Sequence, residues 1–384
     1  MKLFYYKPTA YKFAVKNMVK EHLKALILAG GFATRLRPLS CTRPKILFPI
    51  VNKPLLEWTF ERLAKNNITE AIMAVNYQTE VGIKQQRIPR HGLQVTYSRD
   101  PLRKPLGSGG PIKKAEKHIG HDSPFLVLNG DIFADVNYTE ILKLHEKRKP
   151  IATIALHQVE EPNRYGVVKL AKDNRITEFV EKPPKGTAAT NLINAGVYIL
   201  SPEIFNYIPK DRAVSIEREV FTKLAKEGGL YGYIHDGLWM DIGKPEDYLE
   251  INKILLDSIA GQSKTVTRKD VEIRKPVFFD RRVSLGRKSV TGPYVVLGRD
   301  VVVGKNARIQ NSVIFSEAEI SDFASINGAI IGEGVFIGKN VKIDKGCVLG
   351  DHVKMMDNTV LSEKVWVCPG REVSESVLTP RHIV

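Results

Sequence analysis

Cysteine is scarce in these 384 residues: only Cys41, Cys347 and Cys368 occur, an odd number with no C-x-x-C pair. That argues against a disulfide framework and against a zinc site, and it fits a reducing cytoplasm. Long apolar runs are missing as well. No stretch approaches the ~18 consecutive apolar residues of a membrane span. The first seventeen residues contain Lys2, Lys7, Lys12 and Lys16 but neither the apolar run nor the small-residue cleavage site of a signal peptide. Neither a membrane association nor secretion is expected. No zinc-finger, helix-turn-helix or aromatic-plus-basic RNA signature occurs either. The net charge of +16 therefore points to small phosphorylated ligands and not to nucleic acid.

What is present divides the chain in two, as its length suggests. Between residues 23 and 258 short apolar runs alternate with longer amphipathic stretches. Ala25 to Ala29, Ala71 to Val75, Phe125 to Leu128 and Ile151 to Leu156 read as strands buried on both faces. Pro54 to Asn66 reads as a helix opened by proline, with Leu55, Leu56, Phe60 and Leu63 on one side. Such alternation predicts an α/β fold with a mainly parallel sheet, whose ligands gather at the carboxyl ends of the strands. Residues 1–22 read as a basic arm and 259–271 as a linker.

From residue 272 to 384 a sixfold period takes over. One register runs Ile273, Phe279, Leu285, Thr291, Leu297, Val303, Ile309, Phe315; a second runs Ile331, Ile337, Ile343, Leu349, Met355, Leu361, Val367, Val373. All but Thr291 are apolar, and Ile320 and Ile326 bridge the registers. Hexapeptide periodicity predicts a left-handed parallel β-helix, which offers stacked flat faces for homo-oligomer formation. An acyltransferase β-helix would need a general-base histidine, and this tail has only His352 and His382. His352 reads more simply as a surface residue at a corner.

The densest chemistry lies in Leu28, Ala29, Gly30, Gly31, then Ala33-Thr34-Arg35-Leu36-Arg37-Pro38, with Pro44-Lys45 close behind. A strand running into paired glycines lets backbone N–H groups approach a polyphosphate, and Arg35 and Lys45 can neutralise it. The pattern is neither the G-x-G-x-x-G fingerprint nor a Walker loop.

This loop resembles the signature of the sugar-1-phosphate nucleotidyltransferase family, and further elements resemble family motifs in family order. These are Pro105 to Pro111, Leu128-Asn129-Gly130-Asp131, Tyr165 to Val168, Phe179 to Pro183, Asn194-Ala195-Gly196 and Trp239 to Gly243. The resemblance implies a Rossmann-like nucleotidyltransferase domain followed by a β-helix. It also implies attack of a sugar-1-phosphate oxygen on the α-phosphorus of a nucleoside triphosphate, with pyrophosphate leaving. By the same resemblance Asp131 and Asp241 would ligate Mg²⁺, Arg35 would hold the β- and γ-phosphates, and Lys45 the α-phosphate. Lys182 would hold the sugar phosphate, with Gly166, Glu181 and Asn194 on the sugar and Gly107 and Gly109 near the base or ribose. The sequence departs from the pattern twice. Ala33 stands where Gly is common, which costs little if its φ is negative, and Lys104 stands where many members carry an acid.

Leu106 to Pro111 and Ser215 to Phe221 most resemble the guanylyltransferase branch that uses mannose-1-phosphate. The alternative is a uridylyl- or thymidylyltransferase acting on glucose-1-phosphate or N-acetylglucosamine-1-phosphate. A non-catalytic regulatory paralogue is disfavoured, because Arg35, Lys45, Asp131, Lys182 and Asp241 are all retained.

Overall fold

The computed structural model describes residues 23–31, 33–101, 105–210, 212–260, 266–268 and 270–384. The basic arm 1–22, Lys104, and residues 261–265 and 269 of the expected linker lie outside the described residues. No helix among the described residues is long and apolar enough to cross a membrane.

The first domain is built on a nine-stranded mixed sheet. Lys24–Ala29 sits at its centre, parallel to both Glu70–Val75 and Phe125–Asn129, and Gln94–Arg99 continues the parallel side. Alternation on the central strand sends Ala25 and Ile27 to one core layer and Leu26 to the other, so both faces are buried. The helix expected over 54–66 runs Leu55–Lys65 with Pro54 at its N-cap, and its buried side is Leu55, Leu56, Phe60 and Leu63.

Beyond Phe125–Asn129 the sheet changes direction. Leu192–Leu200 enters antiparallel and bonds Phe125–Asn129 along its last four residues and Ala152–Gln158 along both ends. Its register against Ala152–Gln158 breaks between Asn194 and Tyr198. Gly196 carries the break: its φ is 71°, its N–H donates to Asn194 Oδ1 at 3.0 Å, and a Cβ there would stand 2.2 Å from Ile132 Cδ1. The Asn-Ala-Gly motif is thus a bulge that re-aims Asn194.

The second domain stacks three parallel sheets, consistent with a left-handed β-helix. The stacked column corrects the sequence register at one point. Leu297 pairs with Ile314 and Ile314 with Ile331, so Ile314, not Phe315, faces the column. The step from Ile309 is five residues, and Phe315, at the end of the strand Ser312–Ile314, is turned toward the first domain. There Val296, Val313, Ile330 and Val348 on the outside of one β-helix sheet join Leu36, Leu39, Ile50, Tyr248, Ile251 and Leu255 in a shared apolar cluster. The two domains therefore meet across a packed core, continued by Asn52 Nδ2 donating to Leu297 O at 2.7 Å. Val266–Arg268, inside the expected linker, pairs antiparallel with Val271–Ile273 and closes the first coil.

One buried ionisable group reports on the first domain's integrity. His145 is 2% exposed, with Nδ1 2.9 Å from Thr153 Oγ1 and Nε2 2.9 Å from Ser201 Oγ. Burial lowers its pKa from 6.5 to about 4. Between those values the unfolded chain binds the proton and the folded one does not, so stability is complete above pH 6.5 and falls toward pH 4. The shift corresponds to about 3 kcal/mol. His145→Gln should remove that part of the slope; urea melts at pH 7 and pH 4.5 that lose the same free energy in both proteins would contradict it.

Candidate functional site

A cavity of about 580 Å³ opens at the carboxyl ends of the parallel strands. Leu28, Ala29, Gly30, Gly31, Arg35, Lys45, Gly107 and Asp131 all line it. Gly109 is buried beneath it as the N-cap of the helix Gly110–Ile119, and its N–H donates to Val214 O at 2.8 Å. That bond ties the glycine loop to the segment preceding Ser215. Ala33 adopts φ 48°, in the left-handed region, so the expectation of a negative φ is overturned. An alanine there costs about 1 kcal/mol that glycine would not.

The two aspartates meet by a route that strand-end reasoning does not supply. Asp241 ends a short strand, Trp239–Asp241, that pairs antiparallel with Ile132–Ala134 in a separate two-stranded ribbon. Asp241 lies opposite Ile132, the residue after Asp131, and Ile242 N–H donates to Asp131 O at 3.2 Å. Both carboxylates face the same ammonium: Lys45 Nζ is 3.0 Å from Asp131 Oδ2 and 3.5 Å from Asp241 Oδ1. Lys45 is buried, supplied by the short 3₁₀ turn Lys45–Leu47 after Pro44. Burial works against ionisation of Asp131, but Lys45 and then Arg35 draw its carboxyl below the ordinary value. Asp241 goes the other way, raised by burial and by the charge of Asp131. Two carboxylates this close are eased by the positive charge beside them, here Lys45 and Arg35.

That donor set fits a divalent cation. Two hard carboxylates converge, and no cluster of three or more His, Cys, Asp or Glu able to hold a metal occurs among the described residues. Protein ligands in so small a number suit an ion completed by phosphate oxygens and water.

Glu181, Lys182, Gly166 and Asn194 form a second group beside the cavity, outside its lining. Gly166 pairs with Glu181 across adjacent strands. Glu181 is raised by burial and by the nearby charge of Glu217, a residue that does line the cavity. Lys182 adopts φ 51° and stays largely exposed, its Nζ 3.8 Å from Glu181 Oε1. Asn194 Nδ2 donates to the buried Tyr198 hydroxyl at 3.1 Å.

Two carboxylates were not singled out from sequence. Glu217 lies in a π-helical turn, Ile216–Phe221, and accepts from Ser108 Oγ at 2.5 Å and from Ser215 Oγ at 2.8 Å, linking the glycine loop to the neighbouring group. Asp100 follows the strand Gln94–Arg99 directly, as Asp131 follows Asn129 but for one glycine; its strand-end position was the available signal. It lines the cavity against the paired glycines: a Cβ on Gly30 would stand 2.8 Å from Asp100 Oδ2. Asp100 Oδ1 is buried without a hydrogen-bond partner among the described residues, and burial raises the carboxyl, opposed by Lys114.

Comparison with known proteins agrees with this geometry. The "Nucleotidyl transferase" family model matches residues 24–258 and the "GMPPB C-terminal domain" model residues 273–383. The chain is 37% identical over 368 residues to a mannose-1-phosphate guanyltransferase of Aspergillus oryzae, covering 94% of this chain and 100% of that protein. It is also 37% identical over 364 residues to the catalytic subunit beta of a mannose-1-phosphate guanylyltransferase from Danio rerio, with the same coverage. Among solved structures, HddC from Yersinia pseudotuberculosis complexed with GMP-PN is similar at TM-score 0.52 and 30% identity, over 61% of this chain and 99% of that one. With its paired-glycine loop at a strand end, its facing aspartates and its β-helix, the chain belongs to the nucleotidyl transferase family, as a sugar nucleotidyltransferase whose catalytic domain is followed by the GMPPB C-terminal domain.

Proposed function

We propose that this enzyme transfers a guanylyl group from GTP to mannose-1-phosphate, forming GDP-mannose and pyrophosphate. Asp100 carries the choice of base. Guanine presents two adjacent donors, N1–H and the N2 amino group, which a carboxylate accepts as a pair, whereas uracil and thymine present one N–H between two carbonyls that a carboxylate repels. Asp100 lines the cavity, and a carboxylate there suits the first and not the second. The relatives named as mannose-1-phosphate guanylyltransferases support the same pair of substrates.

The attacking sugar phosphate is already ionised, so no general base is needed, and catalysis is the neutralising and aligning of crowded negative charge. An oxygen of that phosphate forms a bond to the α-phosphorus as the bond to the β-phosphate oxygen breaks. In this reading Arg35 holds the β- and γ-phosphates, Lys45 the α-phosphate and Lys182 the sugar phosphate, while Gly166, Glu181 and Asn194 orient the sugar. Leu28 to Gly31, Gly107 and Gly109 shape the nucleotide pocket. Nucleotidyltransferases of this family generally use a divalent metal. We assign it as Mg²⁺ held by Asp131 and Asp241, where it would neutralise phosphate oxygens during bond exchange. The three cysteines are free, in keeping with a reducing cytoplasm.

A homo-oligomer formed through the β-helix fits the exposed Val302, Phe323 and Met356 on its coils. Deleting the whole β-helix would not test this cleanly, because it would strip the shared core around Tyr248 and Leu255. Val302→Glu with Phe323→Glu should lower the mass measured by light scattering; an unchanged multimer would remove these residues from the interface.

A matrix of nucleoside triphosphates against mannose-, glucose- and N-acetylglucosamine-1-phosphate should give the highest kcat/KM for GTP with mannose-1-phosphate. Asp100→Asn should narrow the preference for GTP over UTP by about tenfold or more. A preference for UTP or dTTP with a glucose-type sugar would replace the proposal. Asp131→Asn and Asp241→Asn should each lower kcat on the order of 10²-fold, and the double variant should cost little more, since each disables the same ion. Asp122→Asn on an exposed turn is the control. Near wild-type turnover in Asp241→Asn at saturating Mg²⁺ would defeat the metal assignment.

A further inference from the structure

The loop between Arg35 and Lys45 does not hold its shape by contacts within the first domain alone. Arg43, two residues before Lys45, sends its guanidinium into the β-helix, where Nη2 binds Glu333 Oε2 and lies 3.8 Å from Asp351 Oδ2. Its side chain is only 12% exposed, and its Cζ sits 5.1 Å from the centre of the Phe315 ring. Thr42 donates its hydroxyl to the same Asp351 Oδ2 at 2.7 Å. Asp351 is 6% exposed, and its other oxygen accepts from Glu333 N–H at 2.8 Å, so the receiving pair is fixed coil to coil. Phe315 is held in turn by Tyr248, ring centres 6.2 Å apart.

We infer that Arg43 is a positioning residue for the phosphate loop: Glu333 and Asp351 of the β-helix grip it and thereby set the place of Lys45. The physical case is one of leverage. Pro44 starts the 3₁₀ turn that delivers Lys45, so the chain from Arg43 to the ammonium is short and stiff. A buried arginine bonded to carboxylate is directional, because the guanidinium fork tolerates little rotation. At the far end the ammonium must stand within hydrogen-bond reach of a phosphate, and displacement of about 1 Å can cost on the order of 10²-fold in rate. The β-helix so acts on the chemistry of its own chain without touching substrate, a role separate from holding subunits together.

This inference rests on the nucleotidyl-transfer reading, so its test uses two readouts, turnover and equilibrium GTP binding by calorimetry. The variants are Arg43→Gln, Arg43→Lys, Glu333→Gln and the Arg43→Gln/Glu333→Gln pair, all in the full chain, with thermal melts to report the folded fraction. Glu333 is partly exposed, so Glu333→Gln keeps the coil intact. Arg43→Gln and Glu333→Gln should each lower kcat about tenfold to a hundredfold and weaken GTP binding severalfold, with KM for mannose-1-phosphate within about twofold of wild type. The double variant should be no worse than Arg43→Gln, and Arg43→Lys should recover part of the loss. Wild-type kcat and GTP affinity in Glu333→Gln would overturn the inference. So would losses that add in the double variant, or that only follow the folded fraction. If the wild-type chain turns over no substrate pair, the functional reading has failed, and the grip is still judged by whether GTP binding weakens in both single variants.

Discussion

Two carboxylates on one ammonium, Asp131 and Asp241 on Lys45, are the arrangement around which the first domain is organised. Like charges this close are held together only if the backbone gives them no alternative. The ribbon of Ile132–Ala134 with Trp239–Asp241 supplies that constraint by hydrogen bonding the residue after one aspartate to the other. Lys45 and Arg35 offset part of the repulsion, and the carboxyl of Asp241 is still raised by burial and by the charge of Asp131. A cleft that sets two carboxylates beside cationic Arg35 and Lys45 is suited to a metal with a polyphosphate, since each neutralises what the other leaves.

The second domain enters through the same loop. Its contribution begins with the five-residue step from Ile309 in the hexapeptide pattern, which gives the column position to Ile314 and frees Phe315 to face outward. Phe315 then underlies Arg43 and meets Tyr248 edge-on. An irregularity in the repeat thus becomes a contact surface, because a one-residue change in step moves a side chain from the interior to the exterior of a strand. The apolar residues Val296, Val313, Ile330 and Val348 fix how the domains dock, and the polar grip of Glu333 and Asp351 on Arg43 and Thr42 sets their register at the loop.

The repeating parts of this molecule were legible in its sequence. Buried parallel strands read as unbroken apolar runs, and the sixfold period gave the β-helix apart from the slip at Phe315. The loop after the first strand was legible as part of the cavity wall, because paired glycines followed by cations at a strand end mark the rim of such a sheet. What periodicity cannot carry is long-range pairing. Nothing local to Trp239-Met240-Asp241 says that it pairs with Ile132–Ala134 and not with the main sheet. Asp100 carries the same strand-end signal as Asp131 but lies in no motif that resembles the family, and Ala33 hides a left-handed φ behind a residue that rarely adopts one.

These residues share a cause. Ala33, Lys182 and the bulge around Gly196 are each places where the backbone leaves its preferred conformation, and each adjoins the cavity or the group beside it. Local propensity fails there because the chain is shaped by what must converge in space: backbone and guanidinium donors around Gly30 and Arg35, carboxylates around Lys45, and Asn194 turned by its bulge. The strain is supported from outside, by the ribbon on one side of the site and the β-helix grip on Arg43 on the other. A stack of coils is well suited to that work, since each coil is bonded to the next.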